Sequence, residues 1–270
     1  MWRLTITGLL LGIGAVAWAL DYNPFEGPKP IAILIQTNPW LMVIGSDVPR
    51  VALYEDGQLV YLKKEKDDSN HYVRKQLSET ELNAVKGQLI SCGDWHECKE
   101  YYDLAPGVTD QPETQVYINL SGQRLVTRIY GLAALGLSVP AFRASGGESR
   151  SDTLPQSLVR LHEYLTQLDY ADAKEWIPQY VEVMIWPYEY APDTSIQWPP
   201  GWPGVDSEDA IARGDSYSIF MPGDRITDLR KFLATRRDKG AIEISGRKWS
   251  AALRYVFPSE PVWWTAFQQK

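Results

Sequence analysis

The sequence predicts an α+β fold in which antiparallel β-hairpins form sheet that amphipathic helices cover, in two subdomains. Alternating apolar and polar residues flank three turn dipeptides, which are Asp56-Gly57, Ser121-Gly122 and Ser245-Gly246. Helical patterns lie between these hairpins without the regular strand–helix–strand repeat that builds a parallel sheet. The chain has 270 residues, 44% of them hydrophobic, which is enough for one large domain or two smaller ones.

A first strand is predicted, followed by a hairpin that is expected to lie near the centre of the sheet. Residues 31–36 are apolar and mostly β-branched, which indicates a strand. The Asp56-Gly57 turn is then expected to place Leu53 opposite Val60. Both faces of this hairpin carry apolar side chains, as is typical of a strand that is covered on both sides.

The first helix has a clear N-terminal signal. Ser78 and Glu81 form a capping box, and Leu82, Val85 and Leu89 follow at helical spacing. This pattern predicts a helix that buries one apolar face.

The second hairpin has two faces that can be assigned residue by residue. A two-residue loop at Ser121-Gly122 pairs Leu120 with Gln123 and Thr114 with Ile129 on a mostly apolar face. The opposite face is mostly polar, and a slip of one residue would mix the two sets. The pattern therefore predicts a sheet with one buried face and one solvated face.

The second helix has the strongest amphipathic pattern in the chain. It is predicted to start at Thr153, with Gln156 in the capping-box position. Its leucines recur at helical spacing, at Leu154, Leu158, Leu161, Leu165 and Leu168. We expect this stripe to cover the apolar face of the sheet.

The C-terminal part, residues 176–270, is predicted to be a Trp- and Pro-rich segment followed by a smaller α+β domain. A domain boundary at that point leaves residues 22–175 as the first α+β domain. Asp224 is expected to cap a third helix, and the Ser245-Gly246 turn is expected to place Ile242 opposite Trp249.

Residues 1–19 are predicted to be a signal peptide. Arg3 precedes an uncharged, mostly apolar run over residues 4–20, and Ala17-Trp18-Ala19 fits the pattern of a cleavage site. The alternative is an N-terminal transmembrane anchor, because the run is close to the lower length limit of about 17 residues. The chain is therefore expected to be exported, either periplasmic or secreted, and to meet a membrane only through residues 4–20 if the signal is not cleaved.

Composition and motifs argue against several functional classes. The formal net charge of −7 and the absence of a concentrated basic patch argue against a nucleic-acid surface. Neither a phosphate-binding loop nor a dinucleotide glycine pattern occurs. Gly214-Asp215-Ser216 resembles the nucleophile block of one esterase family, but no histidine follows His162 to act as its base. No cofactor and no catalytic residue are therefore predicted.

Cys92 and Cys98 are the two cysteines of the chain, and a disulfide between them is predicted. Two cysteines close in sequence in an exported chain favour this pairing. A metal site that includes His96 is an alternative, although the sequence offers no second ligand pair, and free thiols are another.

Trp198 and Trp202 are the candidate binding residues. Pro199, Pro200 and Pro203 fix an extended backbone around them. We expect the two tryptophans to hold residues 196–204 in place and to leave at least one ring accessible to a glycan or a peptide. The alternative is that both rings are buried as packing.

Several short motifs resemble an uncharacterised family of bacterial exported domains. They are the run from Ala52 to Gly57, the helix start at Leu77-Ser78, residues 101–110 and the helix at Pro155, in the same order. The resemblance covers residues 30–170. It implies an antiparallel sheet with two helices and an envelope location, and it implies no activity and no site residue.

Two functional classes follow from these observations. The favoured class is a non-enzymatic exported module that binds a ligand or a partner. The alternative is an envelope hydrolase that uses carboxylates, such as a glycan-acting enzyme, in which two acids would flank a cleft. A pocket with convergent acids would support the enzyme, and an aromatic surface would support the binding module.

Overall fold

The computed structural model describes residues 22–37, 39–40, 47–64, 70–132 and 152–268. The predicted α+β class is confirmed, since these residues form two mixed sheets and four α-helices. The predicted signal peptide and the alternative anchor over residues 4–20 lie outside the described ranges. No helix among the described residues is long and apolar enough to cross a membrane.

The first sheet has eight strands in the order β5-β7-β6-β1-β2-β3-β4-β8. The strands are β1 Pro30–Gln36, β2 Pro49–Tyr54, β3 Gln58–Lys64, β4 Asn70–Gln76, β5 Tyr101–Asp103, β6 Glu113–Leu120, β7 Gln123–Tyr130 and β8 Lys174–Glu175. Neighbours pair antiparallel except β5, which runs parallel to β7. The apolar strands β1 and β2 lie at the centre.

The second sheet has six strands in the order β10-β13-β14-β9-β12-β11. The strands are β9 Tyr180–Pro187, β10 Asp193–Gln197, β11 Ala210–Arg213, β12 Ser216–Pro222, β13 Gly240–Ile244 and β14 Arg247–Tyr255. The chain passes from one sheet to the other between Glu175 and Tyr180, next to the predicted domain boundary. The division into domains of residues 22–175 and 176–270 stays a prediction.

Four α-helices pack against these sheets. They are α1 Glu79–Ser91, α2 Gln156–Thr166, α3 Ile226–Ala234 and α4 Glu260–Gln268. The capping box of Ser78 and Glu81 at α1 is confirmed, with both of its hydrogen bonds formed. The predicted start of α2 at Thr153 is wrong, because Pro155 restricts the residue before it to extended backbone and itself becomes the N-cap. The predicted cap of α3 by Asp224 is also wrong, since Asp224 lies in a 3-10 turn and Arg225 precedes the helix.

One core lies between the first sheet, α1 and α2. It contains Leu158, Leu161 and Leu165 of α2, packed with sheet residues such as Ile118 and Leu125. The leucine stripe therefore covers the apolar face of the β6–β7 hairpin, in which Leu120 pairs with Gln123 and Thr114 with Ile129.

The prediction that one face of the first sheet is solvated is wrong at the centre of the sheet. A second core there contains Ile33, Ile35 and Tyr117 of the sheet together with Trp263 and Phe267 of α4. The prediction considered the β6–β7 hairpin alone, whereas β1 presents apolar residues to both sides and so requires a cover on each. The C-terminal helix supplies that cover and thereby forms part of the site described next.

The β2–β3 hairpin differs from its predicted register by one residue. Leu53 lies opposite Leu59 rather than Val60. Gly57 adopts a φ of 83° and its backbone N–H donates to the carbonyl of Tyr54, 3.1 Å. A three-residue loop with a left-handed glycine has therefore replaced the expected two-residue loop.

Candidate functional site

A cavity of about 590 Å³ lies where β7 approaches the edge of the first sheet, and we call it the edge cavity. Three parts of the chain line it: the loop of residues 95–101, the β7 residues 124–128 and the C-terminal half of α4. A smaller cavity of about 320 Å³ shares Arg128 and Phe267 with it and continues along α4. The two form a groove over the β7 side of the sheet.

The alternation of β7 places two arginines on the α4 side of this groove. Arg124 and Arg128 lie four residues apart, with the half-buried Val126 between them on the same face. Arg128 lies over the ring of Tyr101, 5.7 Å from its centroid, and Tyr101 is 41% exposed. This is a cation–π contact at the cavity wall.

The charge of the edge cavity is opposite to that of the chain. Two arginines, Arg124 and Arg128, face one carboxylate of the lining, Glu100, which leaves one net positive charge. Neither arginine forms an ion pair within the part of the chain that the structure describes. Their donors are therefore available to a ligand that supplies acceptors.

Trp95 belongs to this lining, but its indole N–H is shielded from water. Its side chain is 4% exposed, and its indole N–H has no hydrogen-bond partner among the described residues. Buried donors are normally paired, because an unpaired one loses its bond to water without replacement. The ring itself packs into the core with Leu125.

The helix α4 reaches the groove because two contacts fix its N-terminal half elsewhere. Near its N-terminus, Glu260 accepts from the guanidinium of Arg254, which lies on β14 of the second sheet. One turn later, the fully buried Trp263 enters the second core of the first sheet. These two contacts set the position of Ala266 and Phe267, which form a wall of the edge cavity.

The Trp-Pro segment, residues 196–204, is held by its own side chains, by Phe232 of α3 and by backbone pairing with β13. The indole N–H of Trp198 donates to the carbonyl of Pro203, 2.9 Å. Trp198 and Trp202 contact each other edge to face, 5.1 Å apart, and both contact Phe232 of α3. Both rings are half-buried against the core of the second sheet. The binding role of these tryptophans stays a prediction.

We expect Trp198→Ala and Trp202→Ala each to lower the free energy of unfolding by about 1–2 kcal/mol, since each ring keeps part of its surface in water. Trp249→Ala is the matched control, because Trp249 is fully buried in the same core and its loss should cost about 3–5 kcal/mol. Urea unfolding of the three variants measures this. Equal losses at all three positions would mean that the segment is core rather than surface.

The predicted Cys92–Cys98 disulfide is wrong, because both cysteines are free thiols. The thiol of Cys92 donates to the carbonyl of Gln88, 3.3 Å, within α1, whereas the sulfur of Cys98 lies 4.0 Å from the hydroxyl of Ser157 on α2. Trp95 packs into the core between them and fixes the loop without a covalent link. Burial raises the pKa of both thiols above the ordinary value.

The residues considered for Ser–His catalysis are not brought together. Ser216 begins β12 of the second sheet, and no hydrogen bond joins it to a histidine in the described ranges. His96 lies at the edge cavity. His162 lies on α2, where burial lowers its pKa to about 4 and keeps the ring neutral.

The acidic segment around Asp206 and Asp209 forms hydrogen bonds within the protein. Asp209 accepts from the hydroxyl of Tyr22, 2.9 Å, and Asp206 from the hydroxyl of Ser245, 3.4 Å. Over the described residues, no group of three or more His, Cys, Asp or Glu residues could hold a metal ion.

Sequence reasoning missed the edge cavity. Arg124 and Arg128 both fall on the polar side of the second hairpin. Alternation within one hairpin predicts that this side faces solvent. The signal that could have identified the site is that β1 has apolar residues on both faces. The face on the side of the two arginines therefore requires a covering element. The identity of that element, α4, depends on contacts more than 130 residues apart in sequence.

Each of these cavities has at most one carboxylate among its described lining residues. Glu100 is the acidic residue of the edge cavity, and Glu26 lies with Arg74 in a third cavity of about 330 Å³. The buried carboxylates of Glu182 and Glu260 both pair with Arg254, which lies between them.

No family model, curated protein or solved structure matches this chain, so the resemblance over residues 30–170 to a family of bacterial exported domains stays a prediction.

Proposed function

We propose that this protein is an exported, non-enzymatic binding module of the cell envelope, and that its ligand occupies the edge cavity. The observation that supports this proposal is the set of donors there. Two guanidinium groups, at Arg124 and Arg128, form no ion pair within the described residues and line a cavity whose described lining has one carboxylate, that of Glu100.

The lining favours binding over catalysis for a chemical reason. Guanidinium groups are always charged and cannot accept a proton from a reacting group, but they hold carboxylates, phosphates and sugar hydroxyls well. Tyr101 and Phe267 add aromatic surface beside these donors. The proposed ligand classes are therefore a glycan or a peptide that presents acceptor groups.

The experiment that tests this proposal fills the edge cavity with a larger side chain. Val126→Trp places a large ring in the space between the two arginines, and Val262→Trp is the matched control, because Val262 lies exposed on α4 outside the cavity lining. We expect a member of a panel of neutral and acidic oligosaccharides and synthetic peptides to bind the unmodified protein and the Val262→Trp variant. Binding should fall by about tenfold or more in Val126→Trp, which corresponds to about 1.4 kcal/mol.

Isothermal titration and amide NMR spectra measure this binding, and circular dichroism checks that both variants are folded. Binding that is equal in Val126→Trp and Val262→Trp would place the ligand elsewhere, with the Trp-Pro segment as the next candidate. No binding across the panel would contradict the proposal.

Export is the second part of the proposal and is supported by Arg3, the apolar run over residues 4–20 and the Ala17-Trp18-Ala19 site. We expect the mature chain to begin near Leu20. N-terminal sequencing of protein purified from the producing cell measures this. An intact Met1 on protein in a soluble cytoplasmic fraction would contradict export.

A further inference from the structure

We propose that the open edge of β7 in the edge cavity pairs with an extended peptide whose side chains alternate between acidic and apolar. This inference rests on the proposed function and specifies its ligand. Its occupant is a segment of another protein that adds a strand to the first sheet, a recognition mode in which backbone hydrogen bonds supply affinity and alternate side chains supply specificity.

The edge of β7 is open over half of its length. β7 runs over Gln123–Tyr130, but β5 pairs with it over three residues, from Arg128 to Tyr130. The backbone N–H of Arg128 donates to the carbonyl of Glu100, 2.9 Å, so this N–H points away from β6. Because strand backbones alternate with a period of two, the N–H and C=O groups of Val126 and Arg124 point to the same side.

No described segment pairs with these four groups. The backbone of Val126 and of Arg124 receives no hydrogen bond on that side from the parts of the chain that the structure covers. The last hydrogen bond between the neighbouring loop and β7 is one residue away, where the hydroxyl of Thr127 donates to the carbonyl of Lys99, 2.8 Å. An edge of this kind is a template for another strand.

The two sides of the edge would select different side chains. On the α4 side, an added strand lies beside Arg124, and its end reaches the guanidinium of Arg128, about 13 Å further along β7 where β5 begins to pair. On the opposite side it meets Leu125 and the ring of Trp95. Since successive residues of a strand point to opposite faces, the acidic residues of such a peptide share the α4 side with the two arginines, and the apolar residues between them point to the core side.

Charge complementarity decides between this occupant and a second copy of the chain. A second copy that paired through the same edge would bring its own Arg124 and Arg128 towards these two arginines, and the two chains, each with a formal net charge of −7, also repel each other. An acidic peptide is attracted locally, and its carboxylates can form paired hydrogen bonds with each guanidinium.

The probe is an acetylated and amidated octapeptide of alternating glutamate and valine. Its controls are the same peptide with glutamine for glutamate, and the same peptide N-methylated at the amides that would face β7. We expect the probe to bind and to slow amide hydrogen exchange at Arg124 and Val126. Each control peptide should bind at least about tenfold more weakly, because one loses the charges and the other loses the backbone donors.

Variants of the protein test the same geometry. Arg124→Gln and Arg128→Gln should each weaken binding of the probe by about tenfold, and Arg237→Gln should leave it unchanged, because Arg237 is exposed at the end of α3 and lies outside the cavity. Raised salt should weaken binding to the unmodified protein more than to either cavity variant.

Three results would overturn the inference. The first is an acidic oligosaccharide that binds the cavity while the peptide does not, in which case the proposed function stands without this ligand class. The second is peptide binding without slower exchange at Arg124 and Val126. The third is a dimer at micromolar concentration that Val126→Trp abolishes, which would assign the edge to a second copy. If neither peptide nor saccharide binds, the proposed function fails as well.

Discussion

Replacing Arg254 by methionine is expected to lower the free energy of unfolding by about 3–5 kcal/mol at neutral pH. Arg254 is 4% exposed, and its guanidinium donates to two buried carboxylates, those of Glu182 and Glu260. Methionine fits the space but leaves both carboxylates in an apolar environment without their main partner. The cost comes from those two uncompensated charges rather than from a lost contact.

The position of Arg254 adds a second consequence. Glu182 lies opposite it in the second sheet, with a nitrogen–oxygen distance of 2.8 Å, while Glu260 is the first residue of α4, which covers the first sheet. The exposed Arg213 approaches Glu182 at 3.5 Å and cannot replace the buried partner of Glu260. The variant should therefore loosen α4. Binding of any ligand in the edge cavity should weaken along with the stability of the fold.

The loss should depend on pH. Burial raises the pKa of Glu260 above its ordinary value, although Arg254 opposes this. A raised pKa in the folded state means that the folded protein binds more protons than the unfolded chain in the window between the two values. Stability therefore rises as pH falls through that window. Without Arg254 the window widens, so the loss in Arg254→Met should be smaller near about pH 5 than at neutral pH.

Urea unfolding at both pH values measures these effects. Arg247→Met is the matched control, because Arg247 pairs with Glu189 at 3.5 Å and both side chains are exposed, so its loss should cost less than about 1 kcal/mol. A triple variant with Arg254→Met, Glu182→Gln and Glu260→Gln should recover part of the stability, since no buried charge is left. Equal losses for Arg254→Met and Arg247→Met would contradict this account.

The parts of the fold that sequence predicts are those set by neighbours in the chain. The capping box of α1 involves two residues three apart, and the leucine stripe of α2 follows from helical spacing. The pairs of the β6–β7 hairpin follow from alternation around Ser121-Gly122. In each case one local pattern has one structural solution.

The parts that sequence does not predict depend on distant residues. Arg254 and Glu182 are 72 positions apart, and nothing in the local pattern of either strand distinguishes a buried ion pair from a solvated one. The favoured disulfide is wrong for a similar reason, because the burial of Trp95 fixes the path between Cys92 and Cys98. The edge cavity requires β7, the loop of residues 95–101 and α4 together, so no single segment encodes it.

Trp263→Ala is expected to lower the free energy of unfolding by about 3–5 kcal/mol. Trp263 is fully buried between α4 and the first sheet, where it packs with residues of β1 and β2 such as Ile33 and Tyr54. Trp263 has no exposed surface, so removing its indole leaves a cavity between α4 and the sheet. Urea unfolding measures the loss.

A conservative change at the same position separates apolar packing from hydrogen bonding. The indole N–H of Trp263 has no partner among the described residues, so Trp263→Phe removes an unpaired donor and keeps most of the aromatic surface. We expect it to cost less than about 1.5 kcal/mol. Trp264→Ala, one residue on and half-buried, should cost about 1–2 kcal/mol. If Trp263→Phe were as damaging as Trp263→Ala, the indole N–H would have to form a bond that matters, and α4 would be held by that bond rather than by its apolar surface.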